Sequence, residues 1–189
     1  MGKLSHFLCK KQTQLNTIID SASRGPLAES IRILITNLNY IISTKKNESK
    51  VILVTSSIKG EGKTIISINS ASLLVAKSKK VLLIGADLRN PQLHRYLGVS
   101  KNETEGLSNY LCDDTDNWEK YLLNHSGIDI MLSGLIPPNP TEMLAVDKFK
   151  LFIEDARKKY DYILIDSAPC VLVSDTFEIS KYSDICFYI

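Results

Sequence analysis

The 189-residue sequence predicts a three-layer α/β domain, with a mostly parallel sheet flanked on both faces by helices. Two observations carry that prediction. Short apolar and β-branched runs recur along the chain with helix-periodic stretches between them, the pattern of βαβ units whose strands are buried on both faces. The first run also leads directly into a glycine-lysine-threonine turn, VILVTSSIKGEGKT at 51–64, and then into IISINSASLLVAKSKK, which is apolar at helical spacing. A strand, a glycine-rich turn and a helix in that order make a phosphate-binding loop at a helix N-terminus.

The elements follow in order. Residues 1–24 are polar and weakly periodic and read as an arm ahead of a domain at 25–189. Pro26 suits the first turn of a helix, where a missing N–H costs nothing. Leu27, Ile31, Leu34, Leu38 and Ile41 then predict a helix to about Ile42 with those residues on its buried face. After a polar link, TKKNESK, strands are predicted at 50–55, 80–85, 129–132, 161–166 and 184–189. The last, in SDICFYI, reads as a core strand inside which the sequence stops, so the domain is expected to be truncated at its C-terminal end. Trp118, Tyr121, Phe149 and Phe152 are assigned to the core or to helix faces.

Bulk properties exclude several classes. With 44% hydrophobic residues the chain supports one such domain with a substantial core. Its 23 basic and 21 acidic residues are scattered and give a net charge of +2, so no nucleic-acid-binding stripe is expected. Cys9, Cys112, Cys170 and Cys186 are widely spaced, and His6, His94 and His125 are dispersed, which argues against a zinc site or a disulfide framework. Reduced thiols in a cytoplasmic protein are the expectation. No run approaches roughly eighteen apolar residues and the N-terminus has no signal-peptide core, so no membrane span is expected and any membrane association comes through a partner.

The turn at 56–64 has the chemistry a nucleoside triphosphate needs. Gly60 and Gly62 let backbone N–H groups close around phosphate oxygens where a Cβ would obstruct them, Lys63 reaches the terminal phosphates of ATP, and Thr64 offers a hydroxyl to Mg²⁺. Ser57, Lys59, Glu61 and Ile65 complete the candidate nucleotide-binding set, with Ser57 standing where G-x-x-x-x-G-K-[ST] has its first glycine. In an open parallel sheet the ligand lies at the carboxyl ends of the strands. Asp166, at the end of YILID, is placed there either to hold Mg²⁺ or to cap the next turn. Asp87 ends VLLIGAD, with Arg89 two residues on. A carboxylate in that position can orient or deprotonate an attacking hydroxyl, and a plain surface turn would have the same spacing.

Taken together, these residues resemble the bacterial tyrosine kinases (BY-kinases) of capsular and exopolysaccharide loci, in the form where the kinase is a separate cytoplasmic chain. The resemblance covers roughly residues 25–189: a Walker A loop like SSIKGEGKT (56–64), a second acidic strand like VLLIGADLRNPQLHRYLG (81–98), GLSNYL (106–111), a proline-rich loop like SGLIPPNPTEML (133–144) and a Walker B strand like YDYILIDSAP (160–169). It implies transfer of the γ-phosphoryl of ATP to tyrosine hydroxyls, mainly in the C-terminal tail of a neighbouring subunit. Lys63 would grip the β- and γ-phosphates, Thr64, Asp166 and Asp87 would serve Mg²⁺, and Asp87 with Arg89 would belong to the catalytic second strand. It further implies activation by the cytoplasmic segment of a membrane polysaccharide co-polymerase adaptor at the inner face of the membrane. A ring-like homo-oligomer would form through E-x-x-R-x-x-R, of which Glu29 and Arg32 match, and the proline-rich loop would lie near the nucleotide base.

Three features depart from the family pattern. Gly85 stands where the second strand's D-x-D has its first aspartate, and loss of a positioned acid or base typically costs about 10²–10⁴-fold in rate. Ile35 replaces the last arginine of the ring motif, removing a forked hydrogen-bond donor. The tail tyrosine cluster is absent, and Tyr182 and Tyr188 fall in predicted secondary structure. Two other readings therefore stand beside the kinase: an ATP-binding regulatory partner of the adaptor, or a partitioning-type ATPase. Against the latter, Ile58 occupies the position of that group's signature lysine.

Overall fold

The computed structural model describes residues 18, 23–42, 48–100 and 105–189. Most of the arm expected at 1–24, including His6 and Cys9, lies outside the described residues. Six strands form one sheet: β1 Lys50–Thr55, β2 Val81–Gly85, β3 Leu122–His125, β4 Ile128–Met131, β5 Tyr162–Asp166 and β6 Ile185–Tyr188. Their order across the sheet is β3-β4-β2-β5-β1-β6, parallel except for β3, which runs antiparallel to β4. The five expected strands are present. β3 was not expected, although Ser126 and Gly127, both with positive φ (52° and 83°), form the two-residue turn that a hairpin requires.

The helices are α1 Pro26–Ile42, α2 Lys63–Val75, α3 Leu93–Leu97, α4 Leu107–Cys112, α5 Pro140–Leu144, α6 Asp147–Ala156 and α7 Asp175–Ser180. They cover the sheet in two layers. Alternation along each central strand sends Ile52, Val54, Leu83 and Leu164 towards α1 and α2, and Val51, Leu53, Ile84, Ile163 and Ile165 towards α4 and α6. Trp118, Tyr121, Phe149 and Phe152 are buried in the second of these cores, as expected.

One expectation is corrected. The buried stripe of α1 is Ala28, Ile31, Ile35 and Leu38, whereas Leu27 is 40% and Ile41 65% exposed. The helix is rotated so that the small Ala28 and the β-branched Ile35 meet the core that α1 shares with α2. Ile35 is thus a fully buried side chain, contributing roughly 1.5–3 kcal/mol, rather than a missing surface contact. The strand in SDICFYI lies last in the sheet order. Among the described residues it pairs with β1 alone, burying Phe187 and leaving Cys186 and Tyr188 exposed.

Because the five parallel strands point the same way, the segments following β1, β2, β4 and β5 collect along one edge of the sheet. That edge carries the glycine-rich turn, Asp87, the proline-rich loop and Asp166.

Candidate active site

The glycine-rich turn leaves a fully buried strand and is stitched to the segment after β5. The Ser167 N–H donates to the Val54 carbonyl (3.1 Å), Thr55 Oγ1 to the Ala168 carbonyl (3.0 Å), and the Cys170 N–H to the Ser56 carbonyl (2.9 Å). Gly60 and Gly62 take φ of 94° and 99°, the left-handed region that a side chain rarely enters. The Glu61 carboxylate accepts from the Ile58 N–H (2.9 Å) and closes the turn on itself. Lys63 is buried, its Nζ donating to Ser56 Oγ (3.0 Å). Ser57 Oγ meets the Tyr188 hydroxyl at the end of β6, and Ile65 packs beneath Gly62.

β1 and β5 pair directly, which brings the start of α2 to the end of β5. Thr64 Oγ1 donates to Asp166 Oδ2 at 2.8 Å, and Ser67 Oγ lies 3.4 Å from Oδ1. Asp166 is only 3% exposed. Burial pushes its carboxyl up to about 7, against the Thr64 hydrogen bond and the Lys63 charge, and Asp87 adds to the rise. A buried carboxylate satisfied by neutral hydroxyls, beside a turn of left-handed glycines, is a hard-oxygen donor set that fits Mg²⁺ carried with phosphate.

The opposite wall begins at β2. The Ala86 and Asp87 N–H groups both donate to the Asp166 carbonyl (2.8 and 3.1 Å), so the turn after β2 is tied to the end of β5. Asp87 Oδ1 accepts from the Asn90 N–H at 2.9 Å. Arg89 makes a forked pair with Asp175 at the start of α7, Nε to Oδ2 at 2.8 Å and Nη2 to Oδ1 at 3.0 Å, and Nη2 also reaches Thr141 Oγ1 at 3.0 Å. The space that a side chain at position 85 would need is taken. A Cβ there would lie 2.9 Å from Ser133 Oγ and 3.3 Å from the Ser133 nitrogen, and that hydroxyl donates to the Gly85 carbonyl at 2.8 Å.

Between the two walls lies a cleft of about 310 Å³. Lys59, Gly60, Gly62, Lys63 and Thr64 line one side, Asp87 and Arg89 the other. Ser57, Glu61 and Ile65 support the turn without lining the cleft, and Asp166 lies beneath it through Thr64. Tyr96, Pro169, Leu172 and Val173 also line the cleft and went unrecognised in the sequence. So did Asp175, which follows Arg89 by 86 residues with no motif around it. Glu29 and Arg32 lie on α1 and do not line the cleft. They pair with each other at 3.4 Å, and Arg32 Nη2 donates to the Ser23 carbonyl at 2.6 Å.

Comparison with known proteins agrees with this geometry. A family model described as an AAA domain matches residues 49–182. Tyrosine-protein kinase YwqD of Bacillus subtilis (strain 168) is 30% identical over 172 residues, covering 90% of this chain and 71% of its own length. Tyrosine-protein kinase etk of Escherichia coli (strain K12) is 32% identical over 155 residues, which is 81% of this chain and 21% of that protein, so the chain spans about a fifth of the longer relatives it matches. Among solved structures, the kinase domain of Escherichia coli tyrosine kinase ETK superposes with a TM-score of 0.77 at 30% identity, over 86% of this chain and 62% of that one.

Proposed function

The chain belongs to the bacterial tyrosine-kinase family of P-loop proteins, and from that premise we propose that it is an ATP-dependent protein-tyrosine kinase regulating capsular polysaccharide synthesis and export. The observation that carries the reading is the convergence on one cleft of Lys63, the Thr64–Asp166 pair at 2.8 Å and, on the facing wall, Asp87.

In this reading the amides around Gly60 and Gly62 hold the β- and γ-phosphates, and Lys63 swings from Ser56 to the terminal oxygens. Thr64 and Asp166, with Asp87 nearby, would hold Mg²⁺, and the ion when bound would supply neutralisation of charge on the transferred group. Asp87 orients the acceptor phenol across the cleft. The phenol oxygen bonds to the γ-phosphorus, the bond from that phosphorus to the bridging oxygen breaks, ADP leaves, and the phenolic proton passes to Asp87 and on to water. The chemistry is mostly positioning and charge neutralisation. Glu29 and Arg32 are offered on α1 for contact between subunits in a ring. The membrane connection is assigned to the cytoplasmic segment of a co-polymerase adaptor, since no helix among the described residues is long and apolar enough to cross a membrane.

One observation favours a second reading, an ATP-binding regulatory partner. Ser133 fills the space beside Gly85, so this wall of the cleft offers Asp87 without a neighbouring carboxylate at position 85. Labelled Mg²⁺-ATP with a tyrosine-containing acceptor polypeptide and the adaptor's cytoplasmic segment separates the readings. Phosphotyrosine that disappears in Lys63→Met supports the kinase. Bound ATP without turnover supports the regulator, and released phosphate without phosphotyrosine supports the partitioning-type ATPase.

A further inference from the structure

Arg89 is accounted for by its partners rather than by the cleft alone. Its side chain is 42% exposed, yet its forked face is spent on Asp175, whose side chain is 0% exposed. Thr141 Oγ1, at the start of α5, donates to the same carboxylate at 2.5 Å. Burial works against charge on Asp175, and the hydrogen bonds from Arg89 and Thr141 outweigh it, holding the carboxyl below its usual range. The pair is therefore ionised at neutral pH.

Each of the three residues belongs to a segment that shapes the cleft or abuts it. Arg89 lies two residues beyond Asp87, in a turn whose inner part is already fixed to the Asp166 carbonyl. Asp175 comes directly after the stretch that places Leu172 and Val173 on the cleft wall, and its neighbour Thr176 donates to the Ala168 carbonyl at 2.7 Å. Thr141 continues from the proline-rich loop. These segments come from distant parts of the chain: Arg89 is 86 residues from Asp175 and 52 from Thr141. A transfer that depends on positioning is sensitive to displacements of about 1 Å in such a frame.

We propose that buried Asp175 is a positioning residue for the reaction: by gripping Arg89 and Thr141 it locks the turn carrying Asp87, the start of α5 and the 168–174 wall into one rigid frame facing the phosphate-binding turn. Arg89 accordingly serves as the strut of this frame and not as a phosphate-gripping arginine. The proposal rests on the kinase reading only for its kinetic consequence.

The test uses the full chain in three variants: Asp175→Asn, Arg89→Lys, and Arg89→Met/Asp175→Leu, which replaces the buried pair by apolar side chains. Amide hydrogen exchange is followed at 86–92 and 168–174, with 50–55 and 63–75 as internal references. Melting temperature, kcat and KM for Mg²⁺-ATP are measured alongside. In Asp175→Asn, exchange should rise about tenfold or more in both cleft segments and stay unchanged in the references. Phosphotyrosine formation should fall about 10²-fold in kcat, with KM within about threefold. Arg89→Lys, which keeps the charge but loses the fork, should give the same pattern more weakly. The double variant should recover the melting temperature but neither the protection nor the kcat. Unchanged protection at 86–92 in Asp175→Asn overturns the proposal, as does a double variant that regains kcat together with its melting temperature, since the pair would then be merely structural. If the parent chain forms no phosphotyrosine, the kinase reading fails, and the exchange measurement alone decides the frame.

Discussion

The two walls of the cleft are made by different means. The phosphate wall is continuous chain from Lys50 to Thr64: a strand, two left-handed glycines, a lysine and a threonine, tied to the end of β5 through Asp166 and the backbone that follows it. The facing wall is made of the turn after β2 and the segment before α7, backed by the loop after β4 and by α5, and these distant segments are held together largely by side chains: Arg89, Asp175 and Thr141 bond to one another, and Ser133 bonds to the Gly85 carbonyl. A backbone-built wall keeps its shape when one side chain changes, whereas a wall built from side-chain contacts moves when any one of them does. Substitutions on the first wall should remove function and leave the frame intact. Those on the second should disturb frame and function together.

The largest effect is expected at Lys63. Lys63→Met removes the mobile cation of the phosphate wall, and a single preorganised donor to developing charge is worth about 10²–10³-fold. Phosphotyrosine formation should fall by that factor or more, while the melting temperature of the nucleotide-free chain changes little. A Lys63→Met chain that loses its fold would break the contrast, because the turn would then depend on its lysine.

Asp166→Asn sharpens the contrast from the opposite direction. In the folded chain burial holds the Asp166 carboxyl up at about 7, well above the ordinary aspartate range. The folded state therefore holds a proton that the unfolded chain has lost, and that favourable contribution is complete below about pH 4 and gone above about pH 7. Asparagine carries no such penalty and keeps an oxygen for the Thr64 hydroxyl. In EDTA the variant should be more stable than the parent by a margin that grows between about pH 4 and 7 and levels off at about 2–4 kcal/mol. Its Mg²⁺-dependent nucleotide affinity should collapse. Thermal melts across that range test this, and a margin independent of pH would sink it.

On the second wall, Asp87→Asn keeps the size of the side chain and an oxygen to accept from Asn90, and loses the base. Transfer should fall about 10²-fold with Mg²⁺-ATP affinity retained within a few-fold, as read by kcat against nucleotide binding. An equal loss of nucleotide affinity would move Asp87 from the acceptor side of the cleft to the metal.

The same difference explains what was legible in the sequence. β1, the glycine turn, α2 and the strands leading to Asp87 and Asp166 were readable because each is a local pattern of periodicity, glycine and terminal charge. Asp175 was not, since an aspartate in SDTFEIS has no signature until folding brings Arg89 to it. Leu27, Leu34 and Ile41 stood in the predicted stripe of α1 in place of Ala28 and Ile35 because two overlapping helical stripes share Ile31 and Leu38, and only packing against α2 chooses between them. β6 was readable as a strand from its composition, which does not name neighbours. Its place beside β1 is a property of strand order.

The smallest effect, and the most diagnostic of a wall built from side chains, is expected at Gly85. Restoring the family's carboxylate by Gly85→Asp drives a Cβ to 2.9 Å from Ser133 Oγ, where no real contact is made, so Ser133 must turn away and give up its hydrogen bond to the Gly85 carbonyl. The single variant should therefore lose about 1–2 kcal/mol of stability and gain little activity, although it adds the missing acid. Gly85→Asp/Ser133→Ala frees that space, leaving the 3.3 Å approach to the Ser133 nitrogen to a small backbone adjustment. It should relieve the overpacking but not restore the hydrogen bond to the Gly85 carbonyl, so that part of the lost stability returns, and it should raise transfer above the parent chain. Denaturant melts and phosphotyrosine formation on the two variants decide it. If the single variant is as stable as the parent, Ser133 yields freely and position 85 can change without its neighbour. If the double variant is stable and no faster, Asp87 alone supplies the carboxylate the transfer uses.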